Sequence, residues 1–145
     1  MILSKKTRYA IVALSKLARE YGKGAIQIRG IAEEEKIPQS FLENILLDLR
    51  KSGILGSNFG KTGGYYLLKD PKAVNLAEVV SLFEGTISLL YCVSEKSYRP
   101  CEFCKDEMTC QIKKVFKEVH DTTHQILSRT TLEDLIKDPQ LSQFS

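Results

Sequence analysis

Several features that mark whole classes of proteins are missing from this chain. Histidine occurs only twice in 145 residues, and there is neither a Ser/His/Asp grouping with a recognisable elbow or turn nor a G-x-x-x-x-G-K phosphate loop. No run of about 18 uncharged apolar residues occurs, and a membrane-spanning helix needs such a run. The N-terminal sequence MILSKKTRYA lacks the apolar core of a signal peptide. We therefore expect a cytoplasmic protein that is neither an enzyme nor a membrane protein.

Charge is distributed unevenly along the chain. Residues 1–69 carry a formal charge of +6 and residues 70–145 carry −3, which together give the net charge of +3. A basic half joined to an acidic half is typical of a protein whose first half meets a polyanion such as nucleic acid. Charge alone leaves open the alternative of a solvated surface that is simply uneven.

Three helices are predicted in the first part of the chain from apolar residues at three- and four-residue spacing. Ser4 is the predicted N-cap of a helix that reaches about Tyr21, and residues 28–35 form a short second helix. Pro38 suits the first position of a third helix, which ends near Ser52. The predicted core face of the third helix consists of Phe41, Leu42, Ile45, Leu46 and Leu49. Two helices joined by a tight turn, the second amphipathic and basic at its end, predict a helix-turn-helix.

A β-hairpin is predicted directly after these helices. The glycine-rich residues 58–64 lie between two short apolar or aromatic runs, residues 54–55 and 65–68. A hairpin in this place is a wing, so the sequence predicts a winged helix over residues 1–70.

The second half of the chain, residues 71–145, is predicted to complete one compact domain. It should hold a short helix over 76–84, an irregular loop over 85–109, a long helix over 110–129 and a last helix that ends near Lys137. The long helix carries an apolar stripe with a seven-residue spacing, and it is longer than a monomer of this size easily covers. We expect that stripe to form a homodimer interface, and packing within one domain is the alternative.

All four cysteines of the chain fall within nineteen residues, in the spacing C-x8-C-x2-C-x5-C. In a reducing compartment, clustered thiols are more often metal ligands or redox sensors than structural disulfides. Three interpretations fit the spacing: an iron–sulfur cluster, a four-cysteine zinc site and a disulfide switch. The candidate ligands are Cys92, Cys101, Cys104 and Cys110.

Four sequence segments together resemble the IscR/NsrR-type family of bacterial transcription regulators, also called Rrf-two. They are SKKTRYAIVAL, SFLENILLDLRKSGIL, GKTGGYYLLKDP and the cysteine loop, and the likeness covers residues 2 to about 137. The resemblance implies a dimeric winged-helix protein that binds a palindromic DNA operator. It also implies an iron–sulfur cluster that senses nitric oxide, redox state or iron–sulfur status, and a role as a repressor.

The resemblance also bears on the cysteines. Cys92, Cys104 and Cys110 match the ligands of the nitric-oxide-sensing branch, and other branches have the middle ligand nearer the position of Cys101. The fourth cysteine either completes an all-thiolate site or is a spare. Lys113 stands where the iron–sulfur regulator branch has a histidine ligand. We therefore expect an all-cysteine cluster, with 4Fe–4S favoured over 2Fe–2S. A zinc-binding or cluster-free thiol-redox regulator of the same fold is the alternative function.

The DNA-binding residues are predicted from the helix-turn-helix, the first helix and the wing. On the third helix, amide and carboxylate side chains can read base edges in the major groove, and the resemblance implies this role for the glutamate. Basic side chains at the start of the first helix and the end of the third are predicted to contact phosphates. The wing is predicted to reach the minor groove, although Phe59 stands where many members have arginine. The predicted set is Gln39, Ser40, Glu43 and Asn44 for bases, Lys5, Lys6, Arg8, Arg50 and Lys51 for phosphates, and Asn58, Lys61 and Gly63 in the wing.

Overall fold

The computed structural model describes residues 3–85 and 111–137, and their elements follow the predicted order. They are α1 (Lys5–Arg19), α2 (Ile28–Glu35), α3 (Gln39–Lys51), β1 (Leu55–Asn58), β2 (Gly64–Leu67), a 3-10 turn (Pro71–Ala73), α4 (Leu76–Glu84), α5 (Gln111–Arg129) and α6 (Leu132–Lys137). The two strands pair antiparallel, with Leu55 opposite Leu67 and Asn58 opposite Gly64. The predicted fold, mainly helical with a winged helix-turn-helix, is confirmed. The loop predicted over 85–109 lies outside the described residues except for Gly85.

Side-chain caps fix where three helices begin. The Ser4 hydroxyl accepts a hydrogen bond from the Thr7 N–H at 3.2 Å, and the Asn75 side chain accepts one from the Glu78 N–H at 3.0 Å. At α6, Thr131 and Asp134 exchange the two hydrogen bonds of a capping box, at 2.9 and 3.3 Å. Each cap satisfies an amide that the helix itself leaves without an acceptor.

Two helix boundaries differ from the prediction. Pro38 is the N-cap of α3 and not its first residue, because its ψ of 127° is not helical. Its carbonyl accepts the first helical hydrogen bond, from the Leu42 N–H at 3.0 Å. Helix α1 ends at Arg19, and Tyr21 lies beyond it with 41% of its surface exposed. The chain turns away at Gly22, whose φ of +80° is a conformation that favours glycine.

The hydrophobic core is arranged around α1. Its inward face consists of small and branched residues, and Ala10, Ala13 and Leu14 have no exposed surface. Helices α2, α3, α4 and α6 and strand β2 all pack against this helix. Because alanine side chains are small, four helices can approach one another closely here without leaving a void.

Phe41 does not belong to the core face that the sequence predicts for α3. Leu42, Ile45, Leu46 and Leu49 have no exposed surface, but 38% of Phe41 is exposed. Its ring packs edge to face on Tyr9 of α1, with 5.6 Å between the ring centroids. Because phenylalanine is apolar, the sequence predicted that this side chain would be buried. Phe41 instead lies at the edge of the buried stripe, where it packs against the ring of Tyr9.

Helix α6 packs against α1, the first helix of the fold. Leu132 of α6 has no exposed surface and belongs to the same core cluster as the residues of α1. The Leu132 N–H donates to the Val74 carbonyl at 3.0 Å, and the Leu76 N–H donates to the Thr130 carbonyl at 2.9 Å. Leu132 thus anchors α6 in the core built around α1, and the hydrogen bonds join the start of α4 to the residues after α5.

Helix α5 is the exception to this burial. It packs against α4, yet none of its 19 residues is buried. Its predicted apolar stripe lies at the surface, with exposed fractions of 50% for Ile112, 58% for Val115, 42% for Val119 and 46% for Ile126. Across residues 3–85 and 111–137, no helix combines the length and the apolar character that crossing a membrane requires.

Candidate nucleic-acid interface

The turn between α2 and α3 sets the direction of α3. Lys36 ends α2 in the left-handed conformation, with φ 55° and ψ 45°. Ile37 follows it and is 4% exposed. A non-glycine residue in this conformation costs about 1 kcal/mol, which burial of the Ile37 side chain offsets. The turn is therefore anchored in the core, and α3 leaves it at a fixed angle.

The outward side of α3 holds the predicted base-reading residues. Gln39, Ser40, Glu43 and Asn44 are all exposed, opposite the buried leucine and isoleucine face. Three of the four side chains are amides or carboxylates, which are the groups that recognise adenine and cytosine edges in the major groove. The helix thus presents hydrogen-bonding groups in its first two turns.

The wing is fastened to the start of α2. Ile26 and Tyr65 exchange two backbone hydrogen bonds, each 2.8 Å long, and the Gln27 side-chain amide donates to the Lys61 carbonyl at 2.9 Å. Gly64 permits this contact, because a Cβ there would lie 2.2 Å from the Ile26 carbonyl oxygen. The hairpin is thus held through the first half of β2 and near its tip.

A groove runs between α3 and the wing. It brings together four residues of the predicted DNA-binding set, which are Gln39, Arg50, Asn58 and Gly63. Eight further residues line it that do not belong to the predicted set, which are Gln27, Ile28, Arg29, Ser57, Phe59, Gly60, Gly64 and Tyr65. Their inclusion depends on how the wing folds back on α2, which local spacing does not predict.

Two residues of the predicted set have a different environment from the one expected. Gly63 is buried, and a Cβ there would lie 2.4 Å from the Asn58 carbonyl oxygen, so this glycine lets the two sides of the wing approach. The Lys6 ammonium lies 2.8 Å from the Asp48 carboxylate and 5.6 Å from the centre of the Phe83 ring. Lys6 therefore links α1 to α3 and α4.

The other basic residues of the set are exposed. Lys5 and Arg8 lie in the first two turns of α1, and Arg50 and Lys51 in the last turn of α3. Lys61 is exposed in the wing. Lys51 also lines a second hollow, together with Lys6, Asp48, Leu82 and Phe83, so the cations of the set do not all face one groove.

A hydrogen-bonded cluster joins the start of α1 to the end of α4. One oxygen of the Glu84 carboxylate accepts from the Thr7 hydroxyl at 2.6 Å and from the Ser4 N–H at 2.8 Å. The hydrogen bond from Thr7, followed by that from Ser4, lowers the pKa of Glu84 because both stabilise its charged form. The last residue of α4 therefore holds the helix end that carries Lys5 and Arg8.

The four cysteines lie outside the described residues. Within the parts of the chain that the structure does describe, no three histidine, cysteine, aspartate or glutamate side chains form a group able to hold a metal ion. His120 and His124 stack on α5 with 6.1 Å between ring centroids, and each contacts a neighbouring side chain, Asp121 and Ser128 respectively.

Comparison with known proteins identifies the family. The model of Rrf2, described as an iron-dependent transcriptional regulator, matches residues 3–138. The chain belongs to the Rrf2 family. It is 42% identical over 138 residues to an rrf2-like HTH-type transcriptional regulator of Rhodobacter capsulatus, a match that covers 93% of this chain and 92% of the other. Members of the Rrf2 family are DNA-binding transcriptional regulators and not enzymes, and this chain is one of them.

Two better-known regulators are also similar to this Rrf2 protein. IscR of Xenorhabdus nematophila is 28% identical over 141 residues, which cover 97% of this chain and 82% of that one. The solved structure of CymR, the global cysteine regulator of Bacillus subtilis, superposes with a TM-score of 0.78 at 29% identity and covers 94% of this chain and 96% of that one.

We predict that Glu84→Gln makes the protein less stable at neutral pH and removes part of its pH dependence. A carboxylate whose pKa is lowered by folding stabilises the native state above its unfolded pKa of about 4.3. That stabilisation is lost as the pH falls through the lowered folded pKa. Because Glu84 is partly exposed, we expect a difference of about 1 kcal/mol at pH 7 that disappears in acid.

Urea unfolding at a series of pH values and one protein concentration measures this difference. Glu78→Gln on the same helix is the matched control for a charge change in α4. A Glu84→Gln curve parallel to that of the wild type over the whole acid range would contradict the role given to this carboxylate.

Proposed function

We propose that this Rrf2 regulator is a homodimeric repressor whose affinity for DNA depends on an iron–sulfur cluster held by its cysteines. The observation that supports the proposal is the position of the cysteines in the sequence, between two of the described helices. Residues 92–110 lie between the end of α4 and the start of α5. Helix α4 contributes Val79 to the core that also positions α3, and α5 packs against α4.

The donor set fits such a cluster. Thiolate sulfur is the usual ligand of iron–sulfur clusters, and Cys92, Cys101, Cys104 and Cys110 supply enough of it for all-cysteine ligation. When bound, a cluster supplies a redox- and nitric-oxide-sensitive centre. The resemblance to the nitric-oxide-sensing branch favours 4Fe–4S over 2Fe–2S.

A second candidate is a zinc-binding or cluster-free regulator of the same fold that responds to thiol oxidation. The likeness to CymR supports it, since that protein is named for cysteine regulation. Close cysteine pairs such as Cys101 and Cys104 suit either zinc ligation or a disulfide.

In this proposal, separate groups of residues contact the bases, the phosphates and the minor groove, as the sequence predicts. The first turns of α3 enter the major groove, where Gln39, Ser40, Glu43 and Asn44 face the bases. The basic side chains contact phosphates, and they are Lys5, Lys6, Arg8, Arg50 and Lys51. The Lys6 ammonium does so while it stays paired with the Asp48 carboxylate. The wing, with Asn58, Lys61 and Gly63, lies along the neighbouring minor groove.

Pairing of two copies through α5 is part of the same proposal. The exposed stripe of Ile112, Val115, Val119 and Ile126 extends over about four turns of one helix face. Covering it with the same stripe of a second chain would bury this apolar surface and form a two-fold interface. Two such copies suit a palindromic operator with half-sites about one helical turn apart.

We propose that the cysteine segment acts on DNA binding through both ends of α4. At one end, Glu84 holds Ser4 and Thr7 at the start of α1. At the other, residues 74–76 pair with residues 130–132 at the end of α5. Residues 1–70 would then read DNA and residues 71–145 would sense and dimerise, within one compact domain.

We predict that Glu43→Gln changes which base is preferred at one operator position. The glutamate can only accept a hydrogen bond, as from cytosine N4, whereas glutamine also donates. We expect about 1–3 kcal/mol of altered discrimination at that position, with an unchanged salt dependence. Binding selection from random DNA, followed by titrations at several salt concentrations, measures both.

Lys5→Gln is the contrasting variant. It should weaken binding to all sequences alike and lower the slope of log affinity against log salt by about 1. The same base preference in wild type and Glu43→Gln would refute base reading by this residue.

We predict that Cys92→Ala and Cys110→Ala each remove bound iron and sulfide and change operator affinity. Allosteric couplings amount to about 1–3 kcal/mol, which is a change of about 5- to 150-fold. Protein purified without oxygen is analysed for colour, iron, acid-labile sulfide and zinc, and then titrated with operator DNA.

Ser94→Ala, in the same segment, is the matched control and should keep both iron and affinity. Colourless wild-type protein with zinc would favour the second candidate. Variants that lose iron but bind the operator as well as the wild type would overturn the coupling.

A further inference from the structure

We propose that Phe59, at the tip of the wing, inserts its ring into the DNA minor groove and reads the deformability of the base step it meets. The inference rests on the proposed binding of DNA by α3 and the wing. It adds a binding residue of a different chemical kind from the charged and amide groups of the predicted set.

The exposure of Phe59 is the first observation. Its exposed fraction is 89%, and the next most exposed large apolar side chain in residues 3–85 and 111–137 is Val115, at 58%. Scattered apolar residues are normal at a protein surface. A phenyl ring presented almost whole to solvent, however, contributes little to folding and leaves its full surface available to a ligand.

The rigidity of the wing tip is the second observation. Gly60, with a φ of +99°, follows Phe59, and its carbonyl accepts from the Gly63 N–H at 3.0 Å. The Gln27 side chain holds the Lys61 carbonyl from outside the hairpin. The backbone on the C-terminal side of Phe59 is therefore braced, so binding would not need to order the wing tip.

The surroundings of the ring point to nucleic acid as its ligand. Phe59 lines the groove between the wing and α3, whose other lining residues include Arg29, Arg50 and Asn58. It does not line the hollow on the opposite side of the hairpin, where the exposed apolar residues Tyr21 and Leu68 lie. Cations and amides around an exposed phenyl ring suit a ligand with an anionic backbone and stacked apolar bases.

Insertion of the Phe59 ring would let the protein recognise how easily the DNA deforms. An apolar wedge in the minor groove partly unstacks a base step and bends the duplex. Pyrimidine–purine steps such as TA and CA deform most easily, so they lower the cost of insertion. The operator should therefore prefer such a step opposite the wing tip, although a phenyl ring makes no hydrogen bond that distinguishes bases.

The experiment compares full-length wild type with Phe59→Ala and Phe59→Tyr on operators with TA or GC at the flanking step. Removing the ring should weaken binding to the TA operator by about 5- to 150-fold, the range for loss of an aromatic–base contact. It should leave the salt dependence unchanged and abolish the preference for TA. Phe59→Tyr keeps the ring and should keep most of the affinity and the preference.

A second readout uses 2-aminopurine placed at the flanking step, whose fluorescence rises when it is unstacked. Wild type should raise it and Phe59→Ala should not, whereas Lys61→Ala should keep the rise and lower the salt slope by about 1. Equal operator affinity of wild type and Phe59→Ala, with no fluorescence change on wild-type binding, would overturn the inference. Failure of wild type to bind any DNA specifically would instead overturn the proposed function.

Discussion

Burial of the apolar face of α1 is the interaction on which the described structure depends. Ala10, Ala13 and Leu14 have no exposed surface, and α2, α3, α4, α6 and β2 all pack against this one helix. Close packing of this kind leaves little freedom for independent movement. A change in the position of α1 must therefore reach α3, the wing and α4 together.

The polar contacts reinforce this arrangement at the two places where function is proposed. Lys6 joins α1 to Asp48 of α3 and packs over Phe83 of α4, and Glu84 holds the first turn of α1. The groove on the other side of α3 is bounded by a wing that is hydrogen-bonded to residues 26 and 27. The proposed recognition elements, α3 and the wing, are thus attached to the rest of the described fold at several points.

Local sequence signals predicted most of the fold and only part of the interface. Periodic apolar residues located the helices and the cap at Ser4 located the start of α1, because both signals act within one or two turns. The exposure of Phe41 and the bond between Glu84 and Thr7 could not be read in this way, since they depend on how distant segments pack. The same applies to Gln27 and Arg29, which enter the groove only because the wing folds back on α2. The cysteine ligands remain predictions from spacing and resemblance.

The proposed binding of a two-fold operator depends on pairing through α5, because a single copy presents only one copy of α3 to the DNA. Sedimentation equilibrium tests it most directly, on wild type, on Val119→Asp in the middle of the exposed stripe, and on Gln125→Asp as a control for added charge on the same helix. We expect twice the chain mass for wild type and Gln125→Asp, and a single-chain mass for Val119→Asp, because pairing would bury the new carboxylate without a partner. Wild-type protein that sediments as a single chain, or a Val119→Asp variant that stays paired, would contradict it.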